Sequence, residues 1–344
     1  MYCRSRPSEV SNTPENLIEV NTCGELSGLS YEFFGGTRYC SRFSTALSKL
    51  TNHFRIILDS FFHFVISHKK FMADMKEEPA FLKRVSDNDE YITDPSKLGK
   101  RTFPSLYFFT HMLRILIYSN RQAKKGIYDS VHWYDSSVDT MESLERAGIR
   151  MHFTGMNNMR KVDGPVVFVS NHMTTLETTV LPAIIRPIKP VVYVIKEELS
   201  KYPLFGPVAL ARDPILVGRE NPREDLRIVL EEGSKRLQAG KSIIIFPQKT
   251  RAMVLDPALF NSLGNKLAKR NNVPVIPVAL ITDAWGNGNY IKEAGKIDPS
   301  KTVHIAFGEP MLIAGNGAAE QQLIIEFIVG KFREWGRPDL IKPE

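Results

Sequence analysis

The sequence predicts an α/β protein: a central, mostly parallel or mixed sheet covered by helices, with a helical extension on its N-terminal side. Three observations carry this expectation. From Ile149 onward, short apolar runs alternate with stretches whose apolar residues recur every three or four positions. Runs such as SIIIF (242–246) and VPVIPVAL (273–280) are apolar at nearly every position, the pattern of strands covered on both faces. Before Ile149 the long apolar stretches have helical spacing instead.

Residues 1–40 are polar, rich in Ser, Asn, Thr and Gly and without period, and are expected to form a poorly ordered tail. Residues 41–148 form the expected helical extension. Its first helix covers Ser41 to Met72, with Phe54, Ile57, Phe61, Phe62, Val65 and Ile66 in helical register. Its second is LYFFTHMLRILIY, Leu106 to Tyr118, after Pro104. The charged segment between them, punctuated by Pro79 and Pro95, reads as a linker with one short helix. Lys69, Lys70 and Arg114 edge the apolar faces, which suits either a bilayer interface or, as is commoner, packing on the protein's own core.

In the expected core, residues 149–312, strands are predicted at about 150–154, 165–170, 191–195, 242–246, 274–281 and 302–307. Helices are predicted at Leu176–Ile185, Arg223–Ala239 and Pro257–Asn271, and a last one, Ala318–Trp335, dominates residues 313–344. The segment KYPLFGPVALARDPILVGR (201–219) is read as a tight turn at Phe205-Gly206 followed by an apolar run ending at Arg219.

The 344 residues, 43% hydrophobic and 24% charged, are ample for a large core. A net charge of +7 points to an anionic partner: nucleic acid, a lipid surface or a phosphorylated substrate. Nucleic acid is disfavoured, since there is no zinc-finger spacing, RNP-like aromatic pair or concentrated Lys/Arg tract. The three cysteines, Cys3, Cys23 and Cys40, form no CxxC and lie in no histidine cluster, so a reducing compartment and no metal are expected. Neither a signal-peptide h-region nor a run of ~18 apolar residues is visible, and a cytoplasmic location, peripheral on the membrane, is expected.

The chemistry concentrates at two strand ends. In VVFVSNHMTTLETTVLP (166–182), His172 follows an apolar strand and Glu177 falls where a helix opens. A carboxylate so placed can fold back onto one imidazole nitrogen and leave the other as a base. In IIIFPQKTR (243–251) a strand releases Gln248, Lys249, Thr250 and Arg251 into a loop, where cations can hold a phosphate and an amide can meet a hydroxyl. Arg219 is a further phosphate candidate, with Glu220, Glu224 and Asp225 available to pair it.

Four segments in order, NHMTTLE (171–177), KEELSKYPLFGPVALARDPILVGR (196–219), FPQKTR (246–251) and VPVIPVAL (273–280), resemble the glycerolipid acyltransferase family that makes phosphatidic acid from lysophosphatidic acid. The likeness spans roughly residues 149–312. It implies the glycerol-3-phosphate acyltransferase-like fold, His172 as general base supported by Glu177, and Arg219 and Arg251 as phosphate-side residues. Thr250 lies in the same loop, and Pro277 shapes the site wall. It also implies an acyl-CoA or acyl carrier protein as donor substrate, a lysophospholipid or other phosphorylated acceptor, no bound cofactor and contact with a membrane surface.

Three positions depart from the family pattern: Glu177 stands for an aspartate, Gln248 for the glutamate of FPEGTR, and Lys249 for its glycine. These changes leave the acceptor open. Two other readings also stand. One is a thioesterase in which His172 activates water, although no GxSxG elbow is present. The other is a catalytically silent lipid-binding member of the same fold.

Overall fold

A computed structural model describes Val85 and residues 87–248, 250–289 and 291–343. The first predicted helix, Ser41–Met72, and candidate residue Lys249 lie outside the described residues. The described residues belong to one compact unit.

The chain order of its elements is β1 (Glu90–Ile92), α1 (Pro104–Lys124), α2 (Ser130–Arg146), β2 (Arg150–Thr154), β3 (Val167–Ser170), α3 (Leu176–Ile185), β4 (Val191–Lys196), α4 (Phe205–Leu210), β5 (Ile215–Val217), α5 (Pro222–Gln238), β6 (Ser242–Ile245), α6 (Leu263–Asn271), β7 (Val275–Ile281), β8 (Thr302–Phe307) and α7 (Ala318–Glu334). The strands form one mixed sheet in the order β1-β2-β8-β7-β3-β6-β4-β5. Strands β7, β3, β6, β4 and β5 run parallel, β8 is antiparallel to β7, and β1 is antiparallel to β2. All six predicted strands are present.

Every residue of β3, β6 and β7 is buried, so these three strands lie at the centre of the core. Helix α5 packs on α6, β5 and β6, α6 on β3, and α7 on β7. Helix α6 comes close because residue 264 is glycine: a Cβ there would lie 2.4 Å from Val169 Cγ2. Pro277 is tolerated in a central strand because it falls between the Val275–Met311 bridge and the β7–β8 ladder, where its missing N–H removes no regular pair.

Several elements depart from expectation. Phe205 and Gly206 open α4 rather than forming a tight turn, and a Cβ on Gly206 would lie 2.1 Å from the Ser200 carbonyl oxygen. The predicted helix over Pro257–Asn271 is interrupted: a 3-10 turn covers Pro257–Leu259 and α6 starts only at Leu263. Asn261 causes the break, since its side chain caps the Leu263 N–H at 3.0 Å and also binds the Pro247 carbonyl. Strand β1, of three residues, had no sequence signal, whereas the three-residue β5 lies in the apolar run that ends at Arg219. Among the described residues no helix is long and apolar enough to cross a membrane.

Candidate active site

In a parallel sheet all carboxyl ends open on one edge, where ligands of α/β proteins bind. Here β3 leads to His172, β6 to Gln248 and Arg251, β7 to Thr282, and β5 to Arg219. Strand β3 lies between β6 and β7, so His172 has Gln248 on one side and Thr282 on the other.

The peptide carrying His172 is tied down on both sides. Asn171 substitutes for a strand residue: its side chain donates to the Leu280 carbonyl at 2.8 Å and accepts from the Leu280 N–H at 3.0 Å. The His172 N–H donates to Gln248 Oε1 at 2.5 Å, and the His172 carbonyl accepts from the Ala252 N–H at 2.9 Å. Its ring stacks on Phe246, with centroids 4.1 Å apart and planes 17° from parallel, and Phe246 stacks in turn on Tyr193.

Glu177, on the second residue of α3, is fully buried and reaches back over the loop. Its Oε1 lies 2.9 Å from His172 Nδ1 and accepts from the Met173 and Thr174 N–H groups at 2.6 and 2.8 Å. Its Oε2 accepts from Thr282 Oγ1 at 2.7 Å, with Thr174 Oγ1 3.0 Å away. Burial alone would raise this carboxyl's pKa, but the hydrogen bond and charge of His172 and the Thr282 hydroxyl outweigh it and hold it below the ordinary carboxylate value. An ionised carboxylate only accepts, so in the neutral imidazole His172 Nδ1 carries the proton and Nε2 the lone pair. The side chain of His172 is 14% exposed, enough to meet a ligand at the edge. A held imidazole with a basic Nε2 can remove a proton from a hydroxyl or a water.

Of the other candidates, Gln248 is buried and spends its carbonyl oxygen on the His172 backbone, so it holds the His172 peptide rather than presenting that oxygen to a ligand. Arg251 bridges the site: Nη1 donates to Thr175 Oγ1, and Nη2 to Glu293 Oε1 at 2.6 Å. Thr250 is exposed in the same loop. Arg219 lies at the outer strand; three inter-strand steps of about 4.8 Å put it about 14 Å along the edge from His172. It adopts φ 66°, and its N–H donates to Asp225 at 3.2 Å.

Thr174, Thr175, Thr282, Phe246 and Glu293 were not singled out in the sequence. The two threonines of MTTL lie inside the histidine motif and Thr282 directly follows a predicted strand, so their positions were visible without their role. Glu293 carried no local signal, because it meets Arg251 only through the fold. Among the described residues no group of His, Cys, Asp and Glu is arranged to hold a metal ion.

Residues 150–281 of this α/β domain match the family model described as Acyltransferase. Over 171 residues it is 31% identical to the 1-acyl-sn-glycerol-3-phosphate acyltransferase of Pseudomonas aeruginosa, covering 50% of this chain and 63% of that one. Over 138 residues it is 28% identical to the enzyme of the same name from Borreliella burgdorferi, covering 40% and 54%. The chain thus spans less than two thirds of these relatives' own length. A crystal structure of the 1-acyl-sn-glycerophosphate acyltransferase PlsC from Thermotoga maritima is similar at 19% identity, with TM-score 0.48, over 68% of this chain and 95% of that one.

Proposed function

We propose that this chain transfers a fatty acyl group from an acyl-CoA or acyl carrier protein thioester to a hydroxyl of a phosphorylated glycerolipid such as lysophosphatidic acid. The observation that carries the reading is the dyad: an ionised, fully buried Glu177 holding His172 Nδ1 and leaving Nε2 basic at the carboxyl edge of the sheet.

In this reading His172 Nε2 takes the proton of the acceptor hydroxyl as its oxygen attacks the thioester carbonyl carbon. The tetrahedral intermediate collapses with cleavage of the carbon–sulfur bond. The leaving thiolate recovers the proton from the imidazolium, yielding thiol and ester with the base regenerated. Glu177 stabilises the imidazolium formed in between. The nucleophile belongs to the acceptor, so the scheme draws on no acyl-enzyme, metal or bound cofactor. Arg251, Lys249 and the more distant Arg219 are the cations proposed to face the acceptor phosphate, with Thr250 lining the same loop. Attachment to a membrane surface is supported by the exposed apolar residues Phe103, Leu106 and Leu113 around α1.

The test is thiol release from acyl-CoA and acyl carrier protein donors, with and without lysophosphatidic acid or glycerol 3-phosphate, for wild type and His172→Ala. Acceptor-dependent release lost in the variant is the expected result. Release that needs His172 but no acceptor would instead assign a thioesterase, and no release with any pair would assign a silent lipid-binding protein.

A further inference from the structure

The described residues of the segment joining β7 to β8, 282–289 and 291–301, form two arms. Its arms meet at an antiparallel bridge between Trp285 and Ile297, and the Gly286 N–H donates to the Lys296 carbonyl at 2.9 Å. Trp285 anchors it, packing edge-on against Phe108 of α1 at 4.8 Å and donating its indole N–H to the Glu293 carbonyl at 3.0 Å. Asn287 ties the same segment to the dyad loop by donating to the Met173 carbonyl at 3.2 Å. The backbone of Glu293 is therefore held, and it presents a half-exposed carboxylate to Arg251 at 2.6 Å.

Arg251 reaches the start of α3 through Thr175, between His172 and Glu177 in the chain. A guanidinium fork at the catalytic edge is an anion site by its chemistry, and in this structure the anion is the protein's own. A ligand anion bound there must displace or share with Glu293, and it meets that carboxylate's repulsion.

We propose that Glu293 is a specificity-determining residue that competes with phosphorylated acceptors for Arg251, weakening their binding while leaving the base untouched. The proposal rests on the acyl-transfer reading only for the identity of the acceptor; the competition itself is a binding property.

The experiment is calorimetric titration at fixed low ionic strength with lysophosphatidic acid below its micellar concentration and, separately, inorganic phosphate. It compares wild type, Glu293→Gln, Glu293→Ala, Arg251→Gln and the Glu293→Gln/Arg251→Gln pair, each checked by thermal melting. Glu293→Gln and Glu293→Ala are expected to bind lysophosphatidic acid about 3- to 10-fold more tightly than wild type, as removing a partly exposed competing ion pair implies. The gain should vanish when Arg251 is also replaced, and should be absent for a monoacylglycerol, which carries no phosphate. A gain that extends to inorganic phosphate assigns the subsite to the phosphate group itself, whereas one confined to the lipid assigns it to phosphate held beside the glycerol; both support the competition.

Equal or weaker binding by the Glu293 variants, a gain that survives loss of Arg251, or no binding by any form overturns it. Tighter binding without thiol release from any donor would leave the competition standing and reject acyl transfer.

Discussion

At the residue scale the site depends on how Glu177 is satisfied. A buried carboxylate is costly unless nearly every lone pair is used, and here two backbone N–H groups, a hydroxyl and an imidazole share its two oxygens. Glu177→Gln removes the charge that dictates the Nδ1–H tautomer, so kcat for acyl transfer should fall by about 10³- to 10⁴-fold with little change in acceptor binding, measured by steady-state thiol release and calorimetry. Gln248 supports the same ring from its backbone. Gln248→Ala strands the His172 N–H and should cost about 1–3 kcal/mol in denaturant unfolding, while Gln248→Glu keeps an acceptor and should cost less. If Ala and Glu behave alike, that hydrogen bond does not hold the loop.

The Glu177 side chain, one methylene longer than an aspartate, reaches the imidazole and also spans back to the Met173 and Thr174 N–H groups. The contact was suggested by spacing, a carboxylate at a helix start five residues after a strand-end histidine, and the resemblance of the four motifs is what singled it out. The Thr282 contribution was not, since it arrives from a strand more than a hundred residues later.

At the element scale, β3 and α6 form the seat on which the His172 loop rests. Gly264 permits their close approach, and the usual gain from replacing a helical glycine by alanine is opposed by the collision with Val169. Gly264→Ala should destabilise by about 1–3 kcal/mol, and Val169→Ala in the same chain should recover part of that loss, a coupling measured by a double-mutant cycle of unfolding free energies. Additive losses would mean the two side chains do not compete for space.

Helix α2 shows why some elements were not readable. Ser136, Ser137 and Thr140 dilute its apolar period, yet all three are buried. They manage this by returning their hydroxyls to the helix itself: Ser136 and Ser137 donate to the Trp133 carbonyl and Thr140 to that of Ser136. Polarity in the sequence thus did not mean exposure. The reverse holds at Asn261, where an otherwise continuous helical pattern is cut because the side chain serves Pro247, at the root of the Gln248–Arg251 loop.

At the scale of the whole molecule, α1 and α2 pack on one another and α2 packs on α3, so the described part of the N-terminal region supports the helix that carries Glu177. Helix α2 also contains a titratable group with consequences for stability. Burial, then repulsion from Glu142 and Asp135, pushes the Asp139 carboxyl up to about 7, with Arg146 pulling weakly the other way. An acid whose folded pKa is raised binds its proton more tightly in the folded state, so stability falls as pH climbs from the ordinary carboxylate range to about 7 and is level above that. Asp139→Asn should therefore melt at a higher temperature than wild type at pH 8, by a margin that shrinks through pH 6 and closes near pH 4 in thermal scans. A margin independent of pH would assign the effect to packing instead of ionisation.

Apolar runs and strand-end motifs by themselves determined the α/β class, the six main strands, the positions of α3, α5 and α7, and the pairing of His172 with Glu177. These are local consequences of burial period and of a short chain reach, and both are written in neighbouring residues. Only the tertiary structure decided the rest. Strand order placed Arg219 three strands from His172, Gln248 turned to hold the His172 backbone, Thr282 completed the shell of Glu177, and Glu293 met Arg251. Each of these depends on which distant segments the sheet brings side by side, and no local period encodes that.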